Sequence, residues 1–269
     1  MKDRSVFREF KDDTTDHLKK CFEEDMAFSK IKRTCKKAEM EEEFKAIKKV
    51  LFKYYERLKD IHLYYSGRSS YPTISMNDWQ IFSHETKLLD EEGANMAQSA
   101  MDLVFVATSV SNHEHKKSER RDISRYEFLE IMVRMANQLY KETMICKTTP
   151  EGIEKLLDTY IFPFTKQMDG FTFRKRKCYN VKVNEVLKKN LPLLRKIYDS
   201  YTHAKKKYVT MAECQGYIRK VGLSISEVMV GAIYAESLQT IIDPIRENMI
   251  RTNSMKFVEF VVFLCRVCH

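Results

Sequence analysis

The stretch DISRYEF, residues 122–128, has the pattern of a loop that runs into a helix. Its apolar residue Ile123 is followed four positions later by the carboxylate of Glu127, and the aromatic residue Phe128 comes next. A carboxylate in the first turn of a helix stabilises that helix through its dipole. The stretch therefore predicts a junction between a loop and a helix.

The same pattern occurs at three further places in the chain, namely TISMNDW (73–79), YVTMAEC (208–214) and SMKFVEF (254–260). Each has an apolar residue and, four positions later, a carboxylate. The apolar residues are Ile74, Val209 and Met255, and the carboxylates are Asp78, Glu213 and Glu259. The separation between Ile74 and Val209 along the chain is nearly that between Ile123 and Met255. The four junctions therefore form a duplicated pair.

Apolar residues recur at helical spacing on both sides of the junctions. In the first half, a continuous stripe consists of Phe44, Ile47, Leu51, Tyr54, Leu58, Ile61 and Tyr65. In the second half, a similar stripe begins at Val183 and should kink or restart at Pro192. Steps of three and four residues are typical of amphipathic helices, and the low content of Gly and Pro disfavours a many-stranded fold. The sequence therefore predicts an all-α protein.

At these residues the chain resembles the EF-hand superfamily, to which calmodulin belongs, in a divergent calcium-poor form similar to that of protist ciliary and flagellar EF-hand proteins. In an EF-hand, the eighth loop position is apolar and pairs with the partner loop in a short strand. The twelfth position is a Glu that binds calcium through both oxygens. The resemblance covers residues 44–140 and 182–268 and implies two pairs of helix–loop–helix units.

The loops depart from the EF-hand pattern where calcium would bind. Where the first position should be Asp, the loops have Gly67, Lys116, Thr202 and Asn248. Where the sixth should be Gly, they have Pro72, Arg121, Lys207 and Asn253. A lysine ammonium at roughly 4 Å opposes a cation by on the order of 4 kcal/mol near a protein surface. We therefore expect degenerate EF-hands with no calcium and no cofactor, in which Asp78, Glu127, Glu213 and Glu259 are vestigial.

The retained carboxylates have two interpretations. In the first, each only stabilises the dipole of its helix, by a few tenths to about 1 kcal/mol. In the second, an ammonium from Lys116 or from 205–207 pairs with Glu127 or Glu213 and holds the unit closed without a metal.

The sequence divides the chain into four segments. Residues 1–43 are predicted to form a charged, partly helical N-terminal arm, and residues 44–145 the first EF-hand pair. Residues 146–181 are predicted to form a basic connector with a short helix, and residues 182–269 the second pair.

The net charge of +9 favours acidic partners. We expect the basic runs to contact the partner through Lys116, Lys117, Arg120, Arg121, Arg174, Lys175, Arg176, Lys177, Lys205, Lys206 and Lys207. No segment is apolar and long enough for a signal peptide or a membrane span, so that we expect a cytoplasmic protein.

No Gly-rich phosphate loop and no catalytic set of side chains can be identified from spacing, and we expect no enzymatic activity. The resemblance and the charge favour a structural adaptor on an acidic assembly, such as tubulin or other proteins of the ciliary axoneme and cytoskeleton. One alternative is a calcium sensor in which the fourth loop binds weakly through Asn248, Thr252, Ser254 and Glu259. Another is an adaptor for nucleic acid or a membrane surface that uses the RKRK run at 174–177.

Overall fold

The computed structural model describes residues 2–35, 40–89, 96–111, 122–165, 170–202, 206–243 and 253–269. Helices form the regular structure of these residues, and two single-residue bridges, Ile74 with Ile123 and Val209 with Met255, join described residues to one another. The predicted all-α class is therefore confirmed.

The α-helices are α1 (Thr15–Phe28), α2 (Met40–Gly67), α3 (Met76–Glu85), α4 (Gln98–Ser111), α5 (Arg125–Ala136), α6 (Thr149–Leu156), α7 (Phe162–Phe164), α8 (Gly170–Phe173), α9 (Val181–Lys189), α10 (Leu191–Ser200), α11 (Met211–Val221), α12 (Glu227–Ser237) and α13 (Phe257–Val267). The π-helical turns Asn137–Lys141, Leu157–Ile161 and Arg174–Cys178 continue α5, α6 and α8. Short 3-10 turns span Lys2–Arg4 and Ile31–Thr34.

The chain folds into two compact units. We name Asp16–Met168 the middle unit, and Met1–Thr15 together with Asp169–His269 the terminal unit. The first two junctions lie in the middle unit and the last two in the terminal unit. Each pair of junctions is therefore part of one unit.

The middle unit has its core around α2, whose predicted stripe is buried at Ile47, Leu51 and Leu58. Trp79 and Phe82 of α3 are fully buried. The ring centroid of Trp79 lies 5.9 Å from that of Phe105 in α4, and the ring centroid of Phe82 lies 5.6 Å from that of Phe128 in α5. Rings of this size bury large apolar areas, so this cluster fixes α3 beside its neighbours.

The terminal unit has its core on α13. Phe7 and Phe10 of the N-terminal segment pack in one buried cluster with Val258, Val261 and Val262 of this helix. The restart predicted at Pro192 is confirmed, since α9 ends before it and Pro192 lies in the first turn of α10. Proline is tolerated there because the first N–H groups of a helix have no partner inside it.

The first 43 residues differ from the predicted arm, because both units incorporate parts of them. Phe7 and Phe10 are at most 2% exposed in the terminal unit. Helix α1 buries Phe22, Asp25 and Met26 in the middle unit. Although the segment is highly charged, its buried apolar residues are part of the core of each unit, and burying them stabilises both units.

Two glycines of the terminal unit should respond to substitution in opposite directions. Gly222 follows α11 with φ of +78°, a left-handed conformation that strains any residue with a Cβ. Gly216 lies inside α11, and an added Cβ would meet no atom within 4 Å. We expect Gly222→Ala to destabilise the unit by about 1 kcal/mol and Gly216→Ala to stabilise it by about 0.5–1 kcal/mol. Thermal unfolding followed by circular dichroism measures both, and shifts of the same sign would contradict the assigned backbone conformations.

Candidate functional site

The two loops of each pair are joined by a single antiparallel bridge. In the middle unit, Ile74 and Ile123 exchange two backbone hydrogen bonds of 2.8 Å. In the terminal unit, Val209 and Met255 exchange two of 3.0 Å. These are the apolar residues of the four junctions, and all four are at most 1% exposed. Each bridge therefore fixes the start of two helices relative to each other.

The junction carboxylates cap the helices that they begin. The backbone N–H of Ser124 donates to Glu127 at 2.8 Å, that of Thr210 to Glu213 at 2.8 Å, and that of Lys256 to Glu259 at 2.6 Å. At Ser124 and Thr210 this contact belongs to a capping box. At Lys256 the carboxylate contact stands alone, because an ammonium cannot accept a hydrogen bond. Three of the four carboxylates thus accept a hydrogen bond from the N-cap residue of their own helix.

At the third junction, the ammonium of Lys206 forms an ion pair with the carboxylate of Glu213. Lys206 Nζ donates to Glu213 Oε1 and also, at 3.4 Å, to the carbonyl of Tyr201. Burial raises the pKa of Glu213, but the hydrogen bonds from Lys206 and Thr210 outweigh it and hold the pKa below its ordinary value. The predicted pairing of a residue from 205–207 with Glu213 is confirmed for Lys206, while Lys205 lies outside the described residues.

Replacing Lys206 by methionine tests this contact. We expect the terminal unit to lose about 1 kcal/mol, since the carboxylate keeps its cap but loses its cation. The control is Lys207→Met, because that neighbouring side chain is exposed. Since the pKa of Glu213 is lowered in the folded state, the contribution is complete at neutral pH and disappears as the pH falls through the lowered pKa. Equal melting temperatures for the two variants at pH 7 would contradict the structural role.

The first junction also places a cation beside its carboxylate. Asp78 is 4% exposed, accepts a hydrogen bond from Ser75 Oγ at 2.7 Å and another from Ser69 Oγ. The Nε atom of Arg68 lies 3.6 Å from Asp78 Oδ1. Arg68 and Ser69 directly follow α2, so the loop between α2 and α3 folds its own side chains onto the carboxylate.

At the second junction, the carboxylate is bound by the residue that precedes α5. Glu127 is fully buried, and the hydroxyl of Ser124 donates to it at 2.6 Å. The loop residues before it, with Lys116, Lys117, Arg120 and Arg121, lie outside the described residues. The predicted pairing of Lys116 with Glu127 therefore stays a prediction.

At the fourth junction, Glu259 is held by the segment before its loop. The backbone N–H of Gln239 donates to Glu259 Oε1 at 2.8 Å, and the side-chain amide does so at 3.2 Å. Burial raises the pKa of Glu259 above its ordinary value. Of the other predicted ligands of a weak calcium site, Ser254 is half-buried, and Asn248 and Thr252 lie outside the described residues. In the part of the chain that the structure describes, no three His, Cys, Asp or Glu side chains are grouped so that they could hold a metal.

The predicted basic run at 174–177 is divided by the fold. Arg174 is 6% exposed, donates to Asp12 at 2.7 Å and lies over the ring of Phe10. It is a buried residue of the terminal unit and not a surface contact. Lys175, Arg176 and Lys177 are exposed, as is Lys207.

A buried ion pair of the middle unit was not predicted. Arg125, one residue after the cap of α5, donates to Asp25 of α1 through Nε at 2.6 Å and through Nη2 at 3.0 Å. The hydroxyl of Tyr55 donates to the same carboxylate at 2.6 Å. His62 lies nearby, with Nε2 3.4 Å from the carbonyl of Ile123. The sequence carries one signal for a buried carboxylate here: Asp25 lies at helical spacing among Cys21, Phe22 and Met26, on the side of α1 that is buried.

None of the described helices combines the length and the apolar character needed to cross a membrane. Comparisons of the chain with protein-family models, with curated proteins and with solved structures each found no match.

Proposed function

We propose that this chain is a non-enzymatic adaptor made of two pairs of degenerate EF-hands that keep their shape without calcium. In this proposal, its basic residues bind acidic protein assemblies, such as the microtubules of a ciliary axoneme. Each pair of hands is held by the bridge between its loops, and each loop-end carboxylate serves its own helix or a neighbouring side chain.

The observation that carries the proposal is the ion pair between Lys206 and Glu213. If Val209 is the eighth loop position, Lys206 is the fifth and Glu213 the twelfth. In a calcium-binding loop, both positions supply oxygen ligands. Here one supplies the cation and the other its partner, so a calcium ion would have to displace an ammonium that is covalently tethered to the site.

The other loops support the same interpretation in different ways. Arg68 brings a positive charge to within 3.6 Å of Asp78. Gln239 occupies an oxygen of Glu259 with two hydrogen bonds. A metal would have to replace these contacts before it gained any ligand.

The proposed partner is supported by charge. The chain carries +9, and Lys175, Arg176 and Lys177 are exposed on one helical turn. Exposed cations attract acidic surfaces and speed association with them.

A calcium titration by calorimetry tests the first half of the proposal. It is made on the full chain, together with thermal unfolding in calcium and in a chelator. We expect no heat of binding and superimposable unfolding curves. Binding at micromolar calcium with a raised melting temperature would instead support a calcium sensor, and loss of that binding in Glu259→Gln would place it in the fourth loop.

Co-sedimentation with stabilised microtubules tests the second half. We expect the chain to pellet with intact microtubules at low salt, and less with microtubules whose acidic tails have been removed by proteolysis. Binding to RNA or to anionic vesicles, without binding to microtubules, would favour the nucleic-acid or membrane adaptor.

A further inference from the structure

The net charge of the chain is confined to one of its two units. The terminal unit has 22 Lys and Arg against 13 Asp and Glu, a net charge of +9, whereas the middle unit has 25 of each. Residues 174–207 alone contain 12 basic and 2 acidic residues. An acidic partner is therefore attracted to the terminal unit, and within it to this segment.

The basic side chains of this segment are mostly not used inside the unit. Apart from the buried Arg174, those on the π-helical turn and on α9 are exposed, namely Lys175, Arg176, Lys177, Lys182, Lys188 and Lys189. None of the six forms an ion pair with a carboxylate of the described residues. Two other basic residues of the segment do form such pairs, Arg174 with Asp12 and Lys206 with Glu213.

We propose that the π-helical turn Arg174–Cys178, α9 and α10 form a docking surface for an acidic segment of a protein partner, rich in Asp and Glu. We call this surface the basic face. The inference rests on the proposed function and assigns partner binding to one part of the terminal unit.

The apolar residues of the basic face favour a polypeptide as its occupant. Val181, Val186 and Leu193 are 56%, 61% and 56% exposed, and they stand singly among lysines. The main apolar side of α10 is turned inward, with Tyr198 buried against Phe257 and Phe260 of α13. An acidic segment with occasional apolar side chains matches such a mixed surface.

The same residues fit a membrane or a nucleic acid less well. Helices that lie on a bilayer insert a broad apolar side that includes Trp, Phe or Leu. Proteins that bind single-stranded nucleic acid stack bases on exposed aromatic rings. The one aromatic residue of α9 and α10 is Tyr198, which is buried.

The test compares two variants of the full chain that have the same net charge. The first, Lys182→Glu with Lys189→Glu, reverses two exposed charges of α9. The control, Lys45→Glu with Lys49→Glu, reverses two exposed charges of α2 in the middle unit. The probe is a fluorescent peptide of ten glutamates, titrated by anisotropy at two salt concentrations. Microtubule co-sedimentation, single-stranded RNA and phosphatidylserine vesicles are measured in parallel.

We expect the α9 variant to bind the glutamate peptide about tenfold more weakly, since two attractive contacts become repulsive, and the control to change by less than about twofold. The microtubule fraction in the pellet should follow the same order. A second variant, Lys175→Gln with Lys177→Gln, removes charge without introducing repulsion and should weaken binding in the same direction. If the first variant does not fold, the peptide affinity of this second variant still tests whether the basic face binds the partner.

Three results would overturn the inference. Equal losses in the α9 variant and in the control would mean that net charge alone drives binding. Undiminished microtubule binding by both variants of the basic face would place the contact elsewhere and leave the proposed function intact. No binding of the unaltered chain to peptide or microtubules, with or without binding to RNA or vesicles, would remove the proposed function as well.

Discussion

The Asp25→Ala variant is expected to lose about 4 kcal/mol of the free energy of unfolding of the middle unit. Asp25 is 1% exposed, and its carboxylate accepts two hydrogen bonds from Arg125 and a third from Tyr55. Without it, the guanidinium of Arg125 stays charged in a site where it is 8% exposed. Leaving one member of a buried ion pair without its partner typically costs about 3–5 kcal/mol.

Because the chain has a single tryptophan, the free energy of unfolding of the middle unit can be measured separately. Trp79 is fully buried in that unit, so its fluorescence reports unfolding there and not in the terminal unit. Urea denaturation followed by this signal gives the free energy of unfolding. The matched control is Glu23→Ala, also on α1, because Glu23 is 53% exposed in its ion pair with Lys48. We expect the control to lose no more than about 0.5 kcal/mol.

A double variant separates the ion pair from general damage to the core. Replacing Asp25 by leucine and Arg125 by methionine removes both charges, and apolar replacements of a buried pair are often neutral in stability. We expect this variant to unfold at higher urea than Asp25→Ala. A loss of less than about 1 kcal/mol in Asp25→Ala would mean that Asp25 and Arg125 do not form a buried ion pair between α1 and the start of α5.

The sequence predicts this fold where the signal is local. The stripe from Phe44 to Tyr65 becomes α2, because each of its residues depends on neighbours three and four positions away. The contact between Lys206 and Glu213 was within reach for the same reason, since both belong to one loop and are seven residues apart.

The sequence fails where distant segments meet. Asp25 and Arg125 are 100 residues apart, and Asp12 and Arg174 are 162 apart. Nothing in the RKRK run distinguishes the one arginine that is buried from the three residues that stay exposed, since the difference is made by a carboxylate near the N-terminus. For the same reason, a charged segment with scattered apolar residues resembles a free arm until the cores that it completes are known.

Lowering the pH from 7 to 4 is expected to remove about 3 kcal/mol from the stability of the middle unit through His62 alone. Burial lowers the pKa of this imidazole to about 3, and the nearby charge of Arg125 acts in the same direction. The ordinary value is about 6.5, so below that pH the unfolded chain binds a proton that the folded chain does not. Stability therefore falls as the pH falls, by up to about 1.4 kcal/mol per pH unit, until the pH approaches the folded pKa.

The geometry gives the reason why His62 stays neutral when folded. The residue is 5% exposed, its ring centroid is 5.8 Å from that of Phe128, and its Nε2 is 3.4 Å from the carbonyl of Ile123. Because a carbonyl only accepts, this nitrogen must carry the proton of the neutral ring. That carbonyl also accepts the N–H of Ile74 across the bridge. The hydrogen bond to Ile123 by itself favours the charged ring, so burial and the nearby charge of Arg125 are what keep His62 neutral.

His62→Gln isolates this contribution, because glutamine keeps an N–H donor for the carbonyl and has no charge to gain. Carboxylates also titrate between pH 7 and 4, but they do so equally in both proteins and cancel in the difference. We expect the stability difference between wild type and His62→Gln, measured by Trp79 fluorescence in urea, to shift in favour of the variant by about 3 kcal/mol over this range. The control is His84→Gln, which replaces an exposed histidine of α3 in the same unit. A difference that stayed constant with pH would mean that His62 titrates in the folded protein as it does in water, and that the bridge is open to solvent.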